Sequence, residues 1–239
     1  SLGSRGLGDV YKRQIKMRIE GKKLKKVSNK VNILESIDIS ISSDSIYGLL
    51  GPNGAGKTSL FSILAGLSKP SEGEVLYDSK IVNNLSFEKR SELGVIYLPQ
   101  EPSVFRELTV EENIKAALEA KKYEKKEIDN KFTRISEEFD LMSIETQKCN
   151  SLSGGQRRRV EIARAIALNP KLILLDEPFA GIDPLIINEI KTLIKNLKEK
   201  GIGVLISDHN VNATLDICDY IYVINAGKVI AQGLSLIHI

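Results

Sequence analysis

The segment that most restricts how this chain can fold is GPNGAGKT, residues 51–58. It satisfies G-x-x-x-x-G-K-[ST], with an apolar stretch, SIYGLL, before it and a helical one, SLFSILAGL, after it. Between a strand and a helix, such glycines let main-chain N–H groups wrap a phosphate at the positive end of the following helix. The bland alternative is a glycine-rich turn with an incidental lysine, and the flanking strand and helix argue against it. On this reading Gly51, Pro52, Asn53, Gly54, Ala55, Gly56, Lys57, Thr58 and Ser59 form a phosphate cradle. Lys57 is placed to reach β- and γ-phosphates, and the Thr58 hydroxyl to meet Mg²⁺.

The remaining pattern predicts an α/β fold around that loop. Residues 17–50 alternate apolar and polar in short runs, and GEVLYD and GVIYLP read as further strands. From Thr109 the period becomes helical: TVEENIKAALEA offers Thr109 and Glu112 as a capping box, with Val110, Ile114, Ala117 and Leu118 on one face. KKYEKKEIDNKFTRISEEFDLM reads as a continuing charged helix, so about 101–160 is predicted to be a helical insertion. KLILLDEP is a continuous apolar run, as in a strand buried on both faces. The later strands GVLIS and YIYVIN alternate with helices before a final strand, KVIAQ, and predict a mostly parallel core sheet, with an antiparallel β lobe in the fold expected. With 239 residues and 42% apolar content, one domain with two lobes over 17–233 has enough material for a core.

LILLDEP ends in two carboxylates. Asp176 at the strand end suits an Mg²⁺ shell, and Glu177 suits a base that polarises an attacking water. Two solvated carboxylates before a proline turn are the plain alternative, weakened by the phosphate loop upstream. A second anomaly is LSGGQRRRVEIARA, residues 152–165, a helix with Val160, Ile162, Ala163 and Ala167 for a buried stripe. Its first turn holds Gly154 and Gly155, each costing about 1 kcal/mol against alanine. Ser153 and Gln156 form a capping box, but a cap calls for no glycines. Bare N–H groups at a helix start accept an anion, which makes Ser153, Gly154, Gly155 and Gln156 a second candidate cradle. One bound nucleotide hardly needs two, so the second is expected to serve another copy of the chain.

Gly51–Thr58, Gln100 in LPQ, LSGGQ at 152–156, LILLDEP, AGID at 180–183 and His209 occur in the order of the motifs of ABC-type ATPases, which this chain resembles over about residues 17–233. The resemblance implies a P-loop NTPase fold of the ABC type, ATP and Mg²⁺ as ligands, and a head-to-tail homodimer. Each ATP would lie between the phosphate loop of one copy and Ser153–Gly155 of the other. It implies that Gln100 touches the metal and the attacking water, that His209 contacts the γ-phosphate, and that Asp183 belongs to the loop between the two sites. For Asp183 a second job is visible in the residues: with Pro184 it makes a good helix N-cap. Outside the resemblance, Gln100 is a polar turn residue and His209 a histidine at a strand end.

Within the class, LPQEPSVFRELTVEENI, DEPFAGIDP and GVLISDHNVNATLDICD resemble the ATPase subunits of lipopolysaccharide exporters. By that likeness, LptF/LptG-like integral membrane subunits dock near Ser103–Leu108, including Phe105 and Arg106, on the cytoplasmic face of the inner membrane. Packing of Phe105 and Leu108 into the helical lobe is the alternative. Gln156 stands where that group usually has Glu, and no aromatic stands near Ser28, where many ABC ATPases stack on adenine; Val27 or lysine stems are the candidates to cover the base. The ATPase of a branched-chain amino acid type importer is the competing transport reading. A soluble ABC protein without transport, or a non-hydrolysing binding module, comes further down.

Bulk properties narrow the class. A net charge of +3 is too mild for a nucleic-acid surface, and Lys22, Lys23, Lys25 and Lys26 read as a solvated strand. Two cysteines without metal spacing suggest neither a disulfide nor a zinc framework and fit a reducing compartment. No stretch approaches the roughly 20 apolar residues of a membrane-spanning helix. SLGSRGLGDVYKRQ and LSLIHI are aperiodic, and 1–16 and 234–239 are expected to be foreign to the natural frame, with Met17 a candidate start.

Overall fold

The computed structural model describes residues 16–235, so most of both unusual ends, 1–15 and 236–239, lies outside the described residues. In chain order the elements are β1 (Arg18–Ser28), β2 (Val31–Ser42), β3 (Ile46–Leu50), α1 (Lys57–Ala65), β4 (Glu72–Tyr77), β5 (Lys80–Ile81), α2 (Phe87–Glu92) and β6 (Val95–Leu98). The helices α3 (Val110–Ala120), α4 (Lys125–Glu138) and α5 (Gly154–Ala167) follow. Then come β7 (Leu172–Asp176), α6 (Pro184–Glu199), β8 (Gly203–Ser207), α7 (Val211–Leu215), β9 (Tyr220–Asn225) and β10 (Lys228–Leu234).

Two sheets form. One is antiparallel in the order β2-β1-β4-β5; the other runs β10-β9-β3-β8-β7-β6 and is parallel except for β10. The four lysines of 22–26 lie on β1, where Lys25 pairs with Glu72 and Lys26 donates to Ser68 and the Lys69 carbonyl. The strand β7 is buried at every residue, and its period of two feeds two cores. Leu172 and Leu174 join Leu60, Phe61 and Leu64 of α1 beneath the antiparallel sheet. Ile173 and Leu175 join Val160 and Ile162 of α5 and Ile190 of α6 on the other face. Helices covering both faces of a strand that is apolar up to Asp176 are what a central parallel sheet requires.

The far end of α1 is fixed from beneath. Arg90 of α2 is almost wholly buried and donates to the carbonyls of Ile63 and Leu64 at 2.8 and 3.0 Å, and to Val82 at 2.8 Å. A cation on the last carbonyls of a helix suits its negative end. Gly66 follows at φ 90°, where a Cβ would stand 2.7 Å from Arg90 Cδ.

The capping box of Thr109 and Glu112 forms, and Val110, Ile114, Ala117 and Leu118 are buried. The continuous charged helix expected from Lys121 to Met142 is instead interrupted. Lys122 turns at φ 60°, and α4 begins at Lys125. No proline or glycine marks this break; it lets Ile128, Phe132 and Ile135 of α4 fold back into the shared core.

Candidate functional site

The loop after β3 curls at the C-terminal end of the parallel sheet. Gly54 and Gly56 sit at φ 79° and 104°, left-handed backbone that a side chain would strain. A Cβ on Gly51 would stand 2.2 Å from the Ile224 carbonyl oxygen, so the loop also needs bare backbone to pass β9. Lys57 Nζ donates to the carbonyls of Gly51 and Pro52 at 2.8 and 3.0 Å, crossing its own loop. Ala55 is buried beneath the turn. Above it lies a cavity of about 590 Å³ lined by Asn53, Gly54, Gly56, Lys57, Thr58 and Ser59.

The same cavity receives three residues from distant parts of the chain: Gln100, Glu177 and His209. Gln100 Nε2 donates to Glu177 Oε2 at 2.9 Å, and His209 Nδ1 stands 3.4 Å from that oxygen. Glu177 adopts φ 47°, costly for a residue with a side chain, and its N–H is tied to the Ser207 carbonyl at 2.7 Å. Asp176, one residue back, is buried. Its Oδ1 accepts from the Ser207 hydroxyl, and its Oδ2 from Tyr97 at 3.2 Å. Burial, and then the Asp176 charge, push the Tyr97 phenol above its ordinary range, so it remains a protonated donor.

Residues 153–156 and Asp183 are not among the residues lining this cavity. Gly154 lines a second one, of about 540 Å³, which shares Gln100 and Glu177 with the first. The capping box forms: Gln156 N–H donates to Ser153 Oγ at 3.2 Å, and Ser153 N–H to Gln156 Oε1 at 3.0 Å. The two glycines differ in what surrounds them. Gly155 is buried, and a Cβ there would sit 2.4 Å from Ile186 Cγ2, so the approach of α5 to α6 alone demands it. Gly154 is exposed, its nearest such neighbour the Gly181 oxygen at 3.6 Å, so packing does not demand a glycine there. Asp183 caps α6, accepting from Leu185 N–H at 2.8 Å with Pro184 in the first turn.

Of the segment 103–108, Ser103 and Phe105 line an apolar groove of about 670 Å³ together with Leu67, Phe87, Ala116 and Ala120, whereas Arg106 and Leu108 are not among its lining residues. Phe105 is 55% exposed rather than packed into the lobe, and Arg164 lies 5.2 Å from its ring. Its backbone is clamped by buried Asn113, which accepts from Phe105 N–H at 2.9 Å and donates to its carbonyl at 3.0 Å. Ser103 is held by Glu161 and Arg164 of α5.

Four residues at or beside the site escaped the sequence reading. Ile33, rather than Val27 or the lysine stems, is the apolar side chain lining the phosphate-loop cavity. Asp208, fully buried, accepts from the N–H groups of Phe179 and Asn210 and so ties the loop after Glu177 to the one carrying His209. Its only sequence signal is the carboxylate in SDH. Tyr97 and Ser207 carry no local signal at all. The donor set is all hard oxygen: among the described residues no three His, Cys, Asp or Glu form a self-sufficient metal cage. The Thr58 hydroxyl and an Asp176 carboxylate with lone pairs to spare fit Mg²⁺, which takes its other ligands from phosphates and water.

Comparison with known proteins finds relatives in both sequence and fold. The ABC transporter family profile matches residues 34–180. The lipopolysaccharide export system ATP-binding protein LptB of Haemophilus influenzae is 47% identical over 202 residues, 84% of either chain. Its Escherichia coli K12 counterpart is 42% identical over 90% of both. Among solved structures, a nucleotide-free ATP-binding cassette from an ABC transporter superposes with a TM-score of 0.83 at 31% identity, covering 91% of each chain. A dimeric cassette in a post-hydrolysis state with ADP and phosphate gives 0.80 at 27% identity, covering 91% of this chain and 98% of that one.

Proposed function

The chain belongs to the ABC transporter family, and from that premise we propose that it is the ATP-hydrolysing subunit of a lipopolysaccharide exporter, acting as a homodimer beneath membrane subunits. The observation that carries the hydrolytic reading is the convergence of Gln100, Glu177 and His209 on the cavity walled by the phosphate loop. The relatives named for lipopolysaccharide export support the cargo.

In this reading the N–H groups of 51–58 and the start of α1 bind the phosphates of ATP. Lys57 Nζ exchanges its two loop carbonyls for the β- and γ-phosphate oxygens. Thr58, Gln100 and Asp176 hold Mg²⁺, which when bound neutralises charge on the transferring phosphoryl group. Glu177 accepts the proton of the attacking water as the bond to the β,γ-bridging oxygen breaks, giving ADP and phosphate. Gln100 orients Glu177 through their 2.9 Å contact, and His209, 3.4 Å from the same carboxylate oxygen, donates toward the γ-phosphate. Ser153, Gly154, Gly155 and Gln156, absent from the lining of their own copy's cavity, present the capped start of α5 to the ATP held by the partner. Asp183 stands at the edge of that surface.

The groove beside Phe105 takes the cytoplasmic helices of LptF/LptG-like membrane subunits, which places the dimer at the cytoplasmic face of the inner membrane. No described helix is long and apolar enough to cross a membrane itself. Two measurements test the proposal. The purified chain releases phosphate from Mg²⁺–ATP, and lipopolysaccharide-exporting membrane subunits co-purify with it from native membranes. Phe105→Glu, at an exposed position, abolishes co-purification while shifting folding stability by no more than about 1 kcal/mol. Retention of the membrane subunits by that variant counts against the groove.

A further inference from the structure

We propose that Tyr97 is a positioning residue for the metal-facing carboxylate of Asp176. The inference rests on the reading that Asp176 helps to hold Mg²⁺. In the parallel pairing of β6 and β7, Tyr97 lies opposite Leu174, so its side chain stands on the face of the sheet that also carries Asp176 two residues on. Its hydroxyl donates to Oδ2 at 3.2 Å, while Ser207, in register with Asp176 on β8, donates to Oδ1. A carboxylate turns easily about its last torsion, and one donor leaves it free to swing about that contact. Two hydroxyls on opposite oxygens set its plane. They occupy two of about four lone-pair positions, which leaves one on each oxygen for the metal shell.

Packing does not require the phenol oxygen. The ring meets Phe61 of α1 edge-on, centroids 6.3 Å apart, a contact that phenylalanine would keep. What tyrosine adds is the donor to Asp176. Tyr97 is also among the residues lining the groove beside Phe105, so one side chain reaches from that groove to the carboxylate.

The test compares wild type, Tyr97→Phe and Asp176→Asn by Mn²⁺ electron paramagnetic resonance titration of the ADP complex. ADP affinity in EDTA and thermal unfolding are measured in parallel. Partners that orient a metal ligand typically change metal affinity 10–100-fold, so Tyr97→Phe is expected to weaken Mn²⁺ binding about tenfold. Metal-free ADP affinity should stay within about twofold of wild type, because a Phe side chain preserves the packing. Mn²⁺ binding that is unchanged or tighter in Tyr97→Phe, with loss in Asp176→Asn, overturns the role of Tyr97 and leaves Asp176 standing. An equal fall in metal-free ADP affinity also overturns it, since the effect would then run through the nucleotide pocket. Wild-type Mn²⁺ binding in Asp176→Asn defeats the underlying assignment instead.

Discussion

Single residues in this site hold positions that ordinary stability would not select. Glu177 keeps left-handed backbone at φ 47°, tied down by its own N–H to Ser207 and by the Asp208 contact to Phe179. Strain of this kind costs on the order of 1–3 kcal/mol and survives only where neighbours over-determine it. Glu177→Gln is accordingly expected to retain the fold and ATP binding while hydrolysis falls about 10²–10⁴-fold. Light scattering of that variant with ATP should show a lasting dimer; hydrolysis at the wild-type rate would mean the base lies elsewhere. Lys57 makes its two bonds to carbonyls that a phosphate must replace. Charge-assisted bonds contribute roughly 1.5–3 kcal/mol, so Lys57→Ala should weaken ATP binding some 10- to 100-fold in equilibrium titration. The phosphate loop was legible in the sequence because its geometry is local: glycines at left-handed positions and a lysine six residues from Gly51. Tyr97, Ser207 and Asp208 were not, because their partners lie 79, 31 and 29 residues away along the chain.

At the scale of elements, α5 joins two surfaces. Its start carries Ser153 and Gly154, and about two and three turns on, Glu161 and Arg164 hold Ser103 beside the groove. Glu161 also pairs with buried Arg158 at 2.9 Å, so the helix, the segment at Ser103 and the second cavity share one buried ion pair. The two glycines at the start of α5 make separable predictions. Gly155→Val pushes atoms into Ile186 and is expected to cost about 1–3 kcal/mol of stability in urea unfolding. Gly154→Ala meets nothing closer than 3.6 Å and gains up to about 1 kcal/mol of helix propensity, so it should unfold no earlier than wild type. Its ATP hydrolysis should nevertheless fall, because the new methyl group shields the N–H groups offered to the partner's nucleotide. A Gly154→Ala enzyme of full activity would remove the reason for that glycine. The break between α3 and α4 at Lys122 was invisible beforehand, since a charged run without glycine or proline has equal helical character throughout.

For the whole molecule, division of the phosphate machinery between two faces predicts that activity depends on concentration. Phosphate release per subunit at saturating Mg²⁺–ATP should fall steeply on dilution below the dimer dissociation constant. A constant specific rate down to monomer would show that one copy suffices. Order along the chain already carried the architecture: a glycine loop after a strand, a wholly apolar strand ending in carboxylates, and a helical insertion with its own caps. Each is written in neighbouring residues, because backbone conformation and hydrophobic period are local properties that the sequence by itself determines. Only the tertiary structure decided which of Ile33, Val27 and the lysines faces the cavity, that a Cβ at Gly155 would meet Ile186 while Gly154 stands open, and that Phe105 stays exposed above a clamped backbone. These depend on strand register and on how closely two helices approach, and both are settled by summed packing across the sheet rather than by any residue's neighbours in the chain.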